Sequence, residues 1–386
     1  MRVLYFSRDY TTHDRRFLAA IAAAGHVAFF LRLEDDGVVY EPRALPAGVT
    51  PVTWPGGTRP ASGVAEWMAL MPHLEKVIET VAPDVLHAGP VPSCGFLSAL
   101  TGFRPLVVMS WGSDLLVEVE RAADRRWMAQ FALRSTDVFV CDCDAVRQKA
   151  HSLAPSLSSE QVVQFPWGVD LTEHTPSIDP LAARRALSIP DDAFVVLSTR
   201  MWEPHYGIHT VIDAVAQARA RAPQVFLMLL GEGSLAPDIR RRVEALGAGV
   251  RLPGLVSPES LAGYYQAADM YVTAAHNDGS SISLLEAMAT GLPVAATDAG
   301  GNSEWVTPAA AGRLVPVGDA GALAAAIEAY AALGHAECRR LGAGNRGIVL
   351  RRADWRANAA KLLDAYDRLV PAPAQGGNGP CSKAAV

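Results

Sequence analysis

The sequence predicts an α/β chain made of two parallel-sheet units, and three observations carry the prediction. Strand-like apolar runs alternate with helical periodicity through both halves, the rhythm of repeated β-α-β units. Several of the runs end in short polar loops that lead straight into a helix, Gly231-Glu232-Gly233-Ser234 being one. At 386 residues, half of them hydrophobic, the chain exceeds one ordinary core and can fill two.

The first half opens with a strand at Val3–Phe6 and a polar loop running to Asp14. A helix over residues 15–24 follows, with apolar Phe17, Leu18 and Ile21 and a stop at Gly25. Further strands are predicted at 27–33, 49–52, 84–87, 105–109, 138–140 and 162–165, with helices at 64–80 and 118–133. The first loop lacks G-x-G-x-x-G, so no dinucleotide fingerprint is present. Phe165-Pro166-Trp167-Gly168-Val169-Asp170 then reads as a crossing between domains. The rhythm restarts with strands at 194–198, 225–230, 250–252, 270–273, 293–296 and 312–315. Helices are predicted after Gly207 and at 238–246, 261–268, 282–290, 320–333, 335–346 and 354–369. Residues 1–170 and 171–353 are thus expected to form the two domains, with the helix 354–369 packing back on the first. The tail, 370–386, has the composition of disorder.

Composition removes several classes of function. A net charge of −6 recommends no nucleic-acid partner. Five scattered cysteines suit a reducing cytoplasm, and Cys141-x-Cys143 lacks metal-ligand spacing. The N-terminus reads as a strand rather than a signal peptide, and no apolar run is long enough to span a bilayer.

The most informative stretch is His276–Glu304, HNDGSSISLLEAMATGLPVAATDAGGNSE. A polar turn leads into a helix that Ser280 or Ser281 can cap, and Gly291 with Pro293 ends it. Asp278 precedes the helix. Glu286 sits inside it among apolar neighbours, where burial without a partner is costly. It either faces water or a backbone group, or accepts hydrogen bonds from a ligand lying on the helix start.

Asp278-x(7)-Glu286 followed by AMATGLPVAATDAGGNSE resembles the E-x(7)-E segment of the family 4 retaining glycosyltransferases. PDVLHAG, the FPWGVD crossing, STR before a helix, LGEGS and YYQAADMYV extend the likeness over most of the chain. The resemblance implies the GT-B fold, two Rossmann-like parallel-sheet domains facing each other across a cleft. It implies a hexosyltransferase-like, metal-independent enzyme with no cofactor. Its donor would be a UDP- or GDP-linked sugar and its acceptor a hydroxyl; peripheral membrane contact stays open. Glu286 would take the ribose, Asp278 the donor sugar, and the N–H groups of Gly279, Ser280, Ser281 and Ile282 the phosphates or sugar. Arg200 would grip the diphosphate, while Gly231, Gly233 and Pro253 would line the base and phosphate pockets.

The chain departs from the family pattern in three ways. Asp278 stands where glutamate is usual. The basic residue expected about five positions after Arg200 is absent, leaving His205 or Tyr206. The family's histidine in the N-terminal loop is replaced by Ser110-Trp111-Gly112-Ser113-Asp114. Asp114, Ser113 or His87 would then act near the acceptor, with His13 and Trp111 beside them. Asp142-Cys143-Asp144 matches the D-x-D of another glycosyltransferase fold, but such a tripeptide arises by chance in a chain this acidic. A sugar-binding module without activity and a GT-B-type nucleotide-sugar epimerase are the alternatives.

Overall fold

A computed structural model describes residues 1–33, 39–57 and 63–370; the tail beyond 370, Cys381 included, lies outside the described residues. The first sheet contains β1 (Arg2–Ser7), β2 (Val27–Arg32), β3 (Val49–Val52), β4 (Val85–Gly89), β5 (Leu106–Met109), β6 (Val138–Cys141) and β7 (Val162–Gln164). Their order is β3-β2-β1-β4-β5-β6-β7, and every pair is parallel. The second contains β8 (Phe194–Ser198), β9 (Val225–Leu230), β10 (Val250–Gly254), β11 (Met270–Thr273), β12 (Val294–Thr297) and β13 (Gly312–Val315). It is also all parallel, in the order β10-β9-β8-β11-β12-β13.

Parallel strands are covered on both faces by their crossover helices, which is why they read as continuous apolar runs. In β1, Leu4 and Phe6 enter one core while Val3 and Tyr5 enter the core on the opposite face. In β8, Val196 and its neighbours Val195 and Leu197 divide in the same way.

Several element boundaries differ from the sequence reading, each for a local reason. The helix expected at 64–80 is two, Val64–Ala69 and Met71–Val81, because Pro72 starts a new helix rather than continuing one. The helix expected at 118–133 is broken at Ala122, which is extended. Asp144–Leu153 and Pro180–Ala186 are helices the sequence reading passed over. In the first, the buried stripe is Val146, Ala150 and Leu153 on an otherwise polar segment. The last long helical run, Ala320–Arg352, is interrupted at Gly334 as expected, and differs only in running on past 346.

Two features position the site. The sheet order reverses beside β1 in the first unit and beside β8 in the second, and ligands of open α/β sheets bind outside the strand ends at such points. The chain also passes between the units twice, at Trp167–Val169 and again near Ala353–Trp355. The two passages touch: Val169 pairs with Asp354, and the Val169 N–H donates to Ala353 O at 2.8 Å. After the second passage, helix Trp355–Leu369 lies on the first sheet, burying Leu362, Ala365 and Tyr366 against Val3, Tyr5 and Val85.

Candidate active site

Because β8 and β11 are neighbours, the loops that follow them meet. The β8 loop carries Arg200, and the β11 loop carries Asp278. Their side chains form an ion pair at 2.9 Å, largely shielded from solvent. Arg200 also donates to Ser281 Oγ at 3.1 Å and Ser283 Oγ at 3.0 Å, and its guanidinium lies 4.1 Å from the Tyr206 ring centre. Burial opposes its charge, but Asp278 and the surrounding groups outweigh that and hold the pKa above the ordinary arginine value. Tyr206 therefore faces Arg200 where a second cation was sought. His205 lies against Tyr206 with ring centres 4.0 Å apart and the rings tilted by 46°, and burial, with Arg200 beside it, lowers its pKa.

The helix Ile282–Ala289 begins at this loop, and Glu286 sits one turn in. Its Oε2 accepts from the Tyr265 hydroxyl at 2.8 Å, and its Oε1 lies 3.6 Å from His174 Nε2. Glu286 is thus held by side chains, not by a backbone group. Neither serine caps the helix: Ser281 Oγ is engaged by Arg200, and Ser280 Oγ donates to the main-chain oxygen of Asp142 at 2.8 Å.

That last contact comes from the opposite unit. Asp142, at the end of β6 and 3% exposed, accepts the Ser280 N–H on Oδ2 at 2.6 Å. The approach is possible only because residue 279 is glycine: a Cβ there would lie 2.3 Å from Asp142 Oδ2. Asp144 points elsewhere, to Arg147, while its N–H donates to Glu304 at 2.8 Å. The D-x-D carboxylates therefore do not converge, and among the described residues no cluster of His, Cys, Asp and Glu has metal-site geometry.

Two cavities share this frame. The larger, about 930 Å³, is lined by Thr199, Arg200, Gly231, Ser283 and Glu286, with Leu255, Val256 and Leu261 as its apolar wall and Arg16 and His13 facing from the first unit. The smaller, about 340 Å³, is lined by His13, Trp111, Ser113, Asp142, His205, Asp278, Gly279, Ser280 and Ile282. His13 stacks on Trp111 with ring centres 5.8 Å apart, and burial lowers its pKa to about 4, so the imidazole is neutral at pH 7.

Other residues named from sequence stand differently. Asp114 reaches the smaller cavity, but its Oδ2 accepts the Val91 N–H at 2.9 Å and its Oδ1 the Ser110 hydroxyl at 2.6 Å. It ties the loops after β4 and β5 together. His87 is fully buried and bonded to Tyr366, away from the cleft, because its place in β4 turns it toward the helix Trp355–Leu369. Pro253 and Gly233 line neither cavity: Pro253 lies in edge strand β10, and Gly233 packs under the Trp202 carbonyl. Sequence reasoning missed Asp142, Tyr265, His174 and Arg16. Asp142 left a trace there, in a tripeptide set aside as chance, and Tyr265 lay unremarked within YYQAADMYV.

Gly300 supports Asp278 from below. With φ +53°, a Cβ on it would lie 1.6 Å from the Asp278 carbonyl oxygen. Gly300→Ala is expected to cost about 3 kcal/mol in stability, read as a lowered melting temperature, and to displace the Arg200–Asp278 pair. A variant as stable as the parent would show that the loop yields freely.

Burial raises the pKa of Asp142 to about 7, and of Asp14 and Asp114 to about 6. An acid whose folded pKa is raised binds more protons folded than unfolded, so its stabilisation is present at low pH and fades as pH rises through the folded value. Over the window from the ordinary carboxylate value to about 7, stability is expected to fall. Asp142→Asn should flatten that decline and raise the melting temperature at pH 8 by about 2–4 °C. Melting curves with identical slopes for both proteins would contradict the assignment.

Comparison with known proteins agrees with this frame. Residues 2–143 match the "glycosyl transferase 4-like" family model and residues 193–332 the "glycosyl transferases group 1" model. The lipopolysaccharide core biosynthesis glycosyltransferase LpsE of Rhizobium meliloti is 26% identical over 69% of this chain and 76% of its own length. The D-inositol 3-phosphate glycosyltransferase of Geodermatophilus obscurus is 34% identical over 53% of this chain, the match spanning 49% of that relative. Among solved structures, Anabaena HepE in complex with UDP-glucose superposes with a TM-score of 0.78, at 19% identity over 96% of this chain and 100% of that one. The chain belongs to the group 1, family 4-like glycosyltransferases, enzymes of the GT-B fold.

Proposed function

We propose that the enzyme moves a sugar from a UDP- or GDP-linked donor to an acceptor hydroxyl with retention at the anomeric carbon. The observation that carries this reading is the convergence of Arg200, Asp278 and Glu286 around one helix start, at the strand ends where the two sheets face each other. The ribose hydroxyls bond to Glu286, which Tyr265 and His174 hold in place, and the base rests against Leu255, Val256 and Leu261. The sugar lies by Asp278, and the acceptor enters through the smaller cavity past His13, Trp111 and Ser113.

In the reaction, the bond from the anomeric carbon to the diphosphate oxygen breaks and the bond to the acceptor oxygen forms on the same face. The transition state is oxocarbenium-like. Negative charge grows on the leaving diphosphate, so a fixed cation at Arg200 and the N–H groups of the helix start stabilise it more than the ground state. The departing phosphate oxygen takes the acceptor proton. No side-chain base is needed. The reading routes no step through a metal ion. It places the enzyme in a reducing compartment such as the cytoplasm; the four described cysteines are buried, with no disulfide among the described residues. No helix among the described residues is long and apolar enough to cross a membrane.

The test is incubation of purified protein with a panel of nucleotide sugars, with and without candidate acceptors. Acceptor-dependent release of nucleoside diphosphate is the expected result, with product stereochemistry read by NMR. Binding without turnover across a broad acceptor set would favour the sugar-binding module, and inverted product would remove the retaining mechanism.

A further inference from the structure

We propose that Arg16, from the first helix of the N-terminal unit, supplies the second positive charge on the donor's diphosphate, across the cleft from Arg200. The inference rests on the donor reading given above. The C-terminal unit offers a single arginine at this point, and that arginine is already paired with Asp278 at 2.9 Å. The position five residues further on is His205, whose pKa is lowered by burial. A diphosphate ester brings about two negative charges into the cavity, more than one already-paired cation compensates.

Arg16 stands in the wall of the same cavity as Arg200, Thr199 and Glu286. Of the other arginines there, Arg15 also lines the wall, but among the described residues no hydrogen bond fixes its guanidinium; Arg43 meets Glu41 at 2.7 Å, and Arg356 lies 4.0 Å from Asp170. Among the described residues, Arg16 has no carboxylate within that distance. Its guanidinium is nonetheless fixed. Nη2 donates to Gly168 O at 3.0 Å and Trp167 O at 3.4 Å, and the group lies 4.3 Å from the Trp355 ring centre. The fork has five N–H donors, and these contacts occupy few of them. Burial, the largest influence, draws its pKa down to about 10, so the cation is kept in an environment that disfavours charge. Glu286, Asp170 and Glu173 support the charge from further off, and a cation held rigid by backbone oxygens and an aromatic face beside a cavity, with no carboxylate in direct contact among the described residues, is a built anion contact. Its anchors also belong to both chain crossings, so an anion on Arg16 is coupled to the segments that join the units.

The experiment compares UDP with uridine, and GDP with guanosine, on the full chain carrying Arg16→Met or Arg16→Lys. Diphosphates are titrated by calorimetry, and nucleosides are followed by ligand-observed NMR. Met keeps the apolar stem against Trp355, and melting temperatures check the fold. Arg16→Met should weaken diphosphate binding about 30-fold, the worth of one charge-assisted contact, and leave nucleoside binding unchanged. Arg16→Lys should recover most of the loss. Equal weakening of diphosphate and nucleoside, or undiminished diphosphate binding in Arg16→Met, overturns the assignment. A parent protein that binds neither UDP nor GDP overturns the donor reading itself, and this inference with it.

Discussion

Glu286→Ala is expected to lower nucleotide-sugar affinity by about 100-fold, the worth of two charge-assisted hydrogen bonds to ribose hydroxyls. The carboxylate is pre-positioned by the Tyr265 hydroxyl at 2.8 Å and by His174, so the parent enzyme spends little ordering it on binding. Removing it also leaves Tyr265, a fully buried residue, with only its contacts to Thr199 and the Ser283 carbonyl. A modest stability loss, about 1 kcal/mol, should accompany the affinity loss. Calorimetric titration with UDP, GDP and their sugars measures the first, and thermal melting the second. A 2′-deoxyribose donor analogue should bind the parent weakly and lose little further affinity in the variant. If the variant binds the parent's preferred donor as tightly as the parent does, Glu286 does not hold the ribose.

Arg200→Ala is expected to act on turnover, lowering kcat by about 100–1,000-fold with a smaller change in KM, because the diphosphate charge it faces grows toward the transition state. Arg200 also organises its surroundings: Asp278, Ser281 and Ser283 are all held by its guanidinium. Alanine would free Asp278 to accept from the donor sugar, which can even tighten ground-state binding while the rate falls. Lysine at 200 keeps the charge but not the fork, and should recover only part of the rate. Single-turnover kinetics separate the two effects. A rate constant within a factor of two of the parent's would remove Arg200 from the diphosphate.

Much of the fold was legible because buried parallel strands write themselves as apolar runs. Helices were harder where alanine hides the stripe, as in Asp144–Leu153. Arg200, Asp278 and Glu286 each stood out singly, a base or acid at a strand end or inside an apolar helix. Their meeting depended on β8 lying beside β11, a crossover that periodicity does not encode. Two of the residues named for the acceptor side teach opposite lessons. His87 lies between Leu86 and Ala88 in a wholly buried strand, so its burial was readable from the pattern. Asp114 sits in a polar loop that looked catalytic, and only coordinates reveal that its oxygens accept from the Val91 N–H and the Ser110 hydroxyl. His174 follows the first chain crossing and Arg16 comes from the first helix of the other unit, and no local spacing announces either.

The paired crossings have a thermodynamic consequence. A single linker lets two lobes tumble through many relative orientations; two linkers bonded side by side at Val169 and Asp354 remove most of that freedom. The lobes then meet at a high effective concentration, in the sense used for tethered binding partners. Under that condition few contacts across the cleft are needed to hold the units in the arrangement seen, and the one from Ser280 to Asp142 is among them.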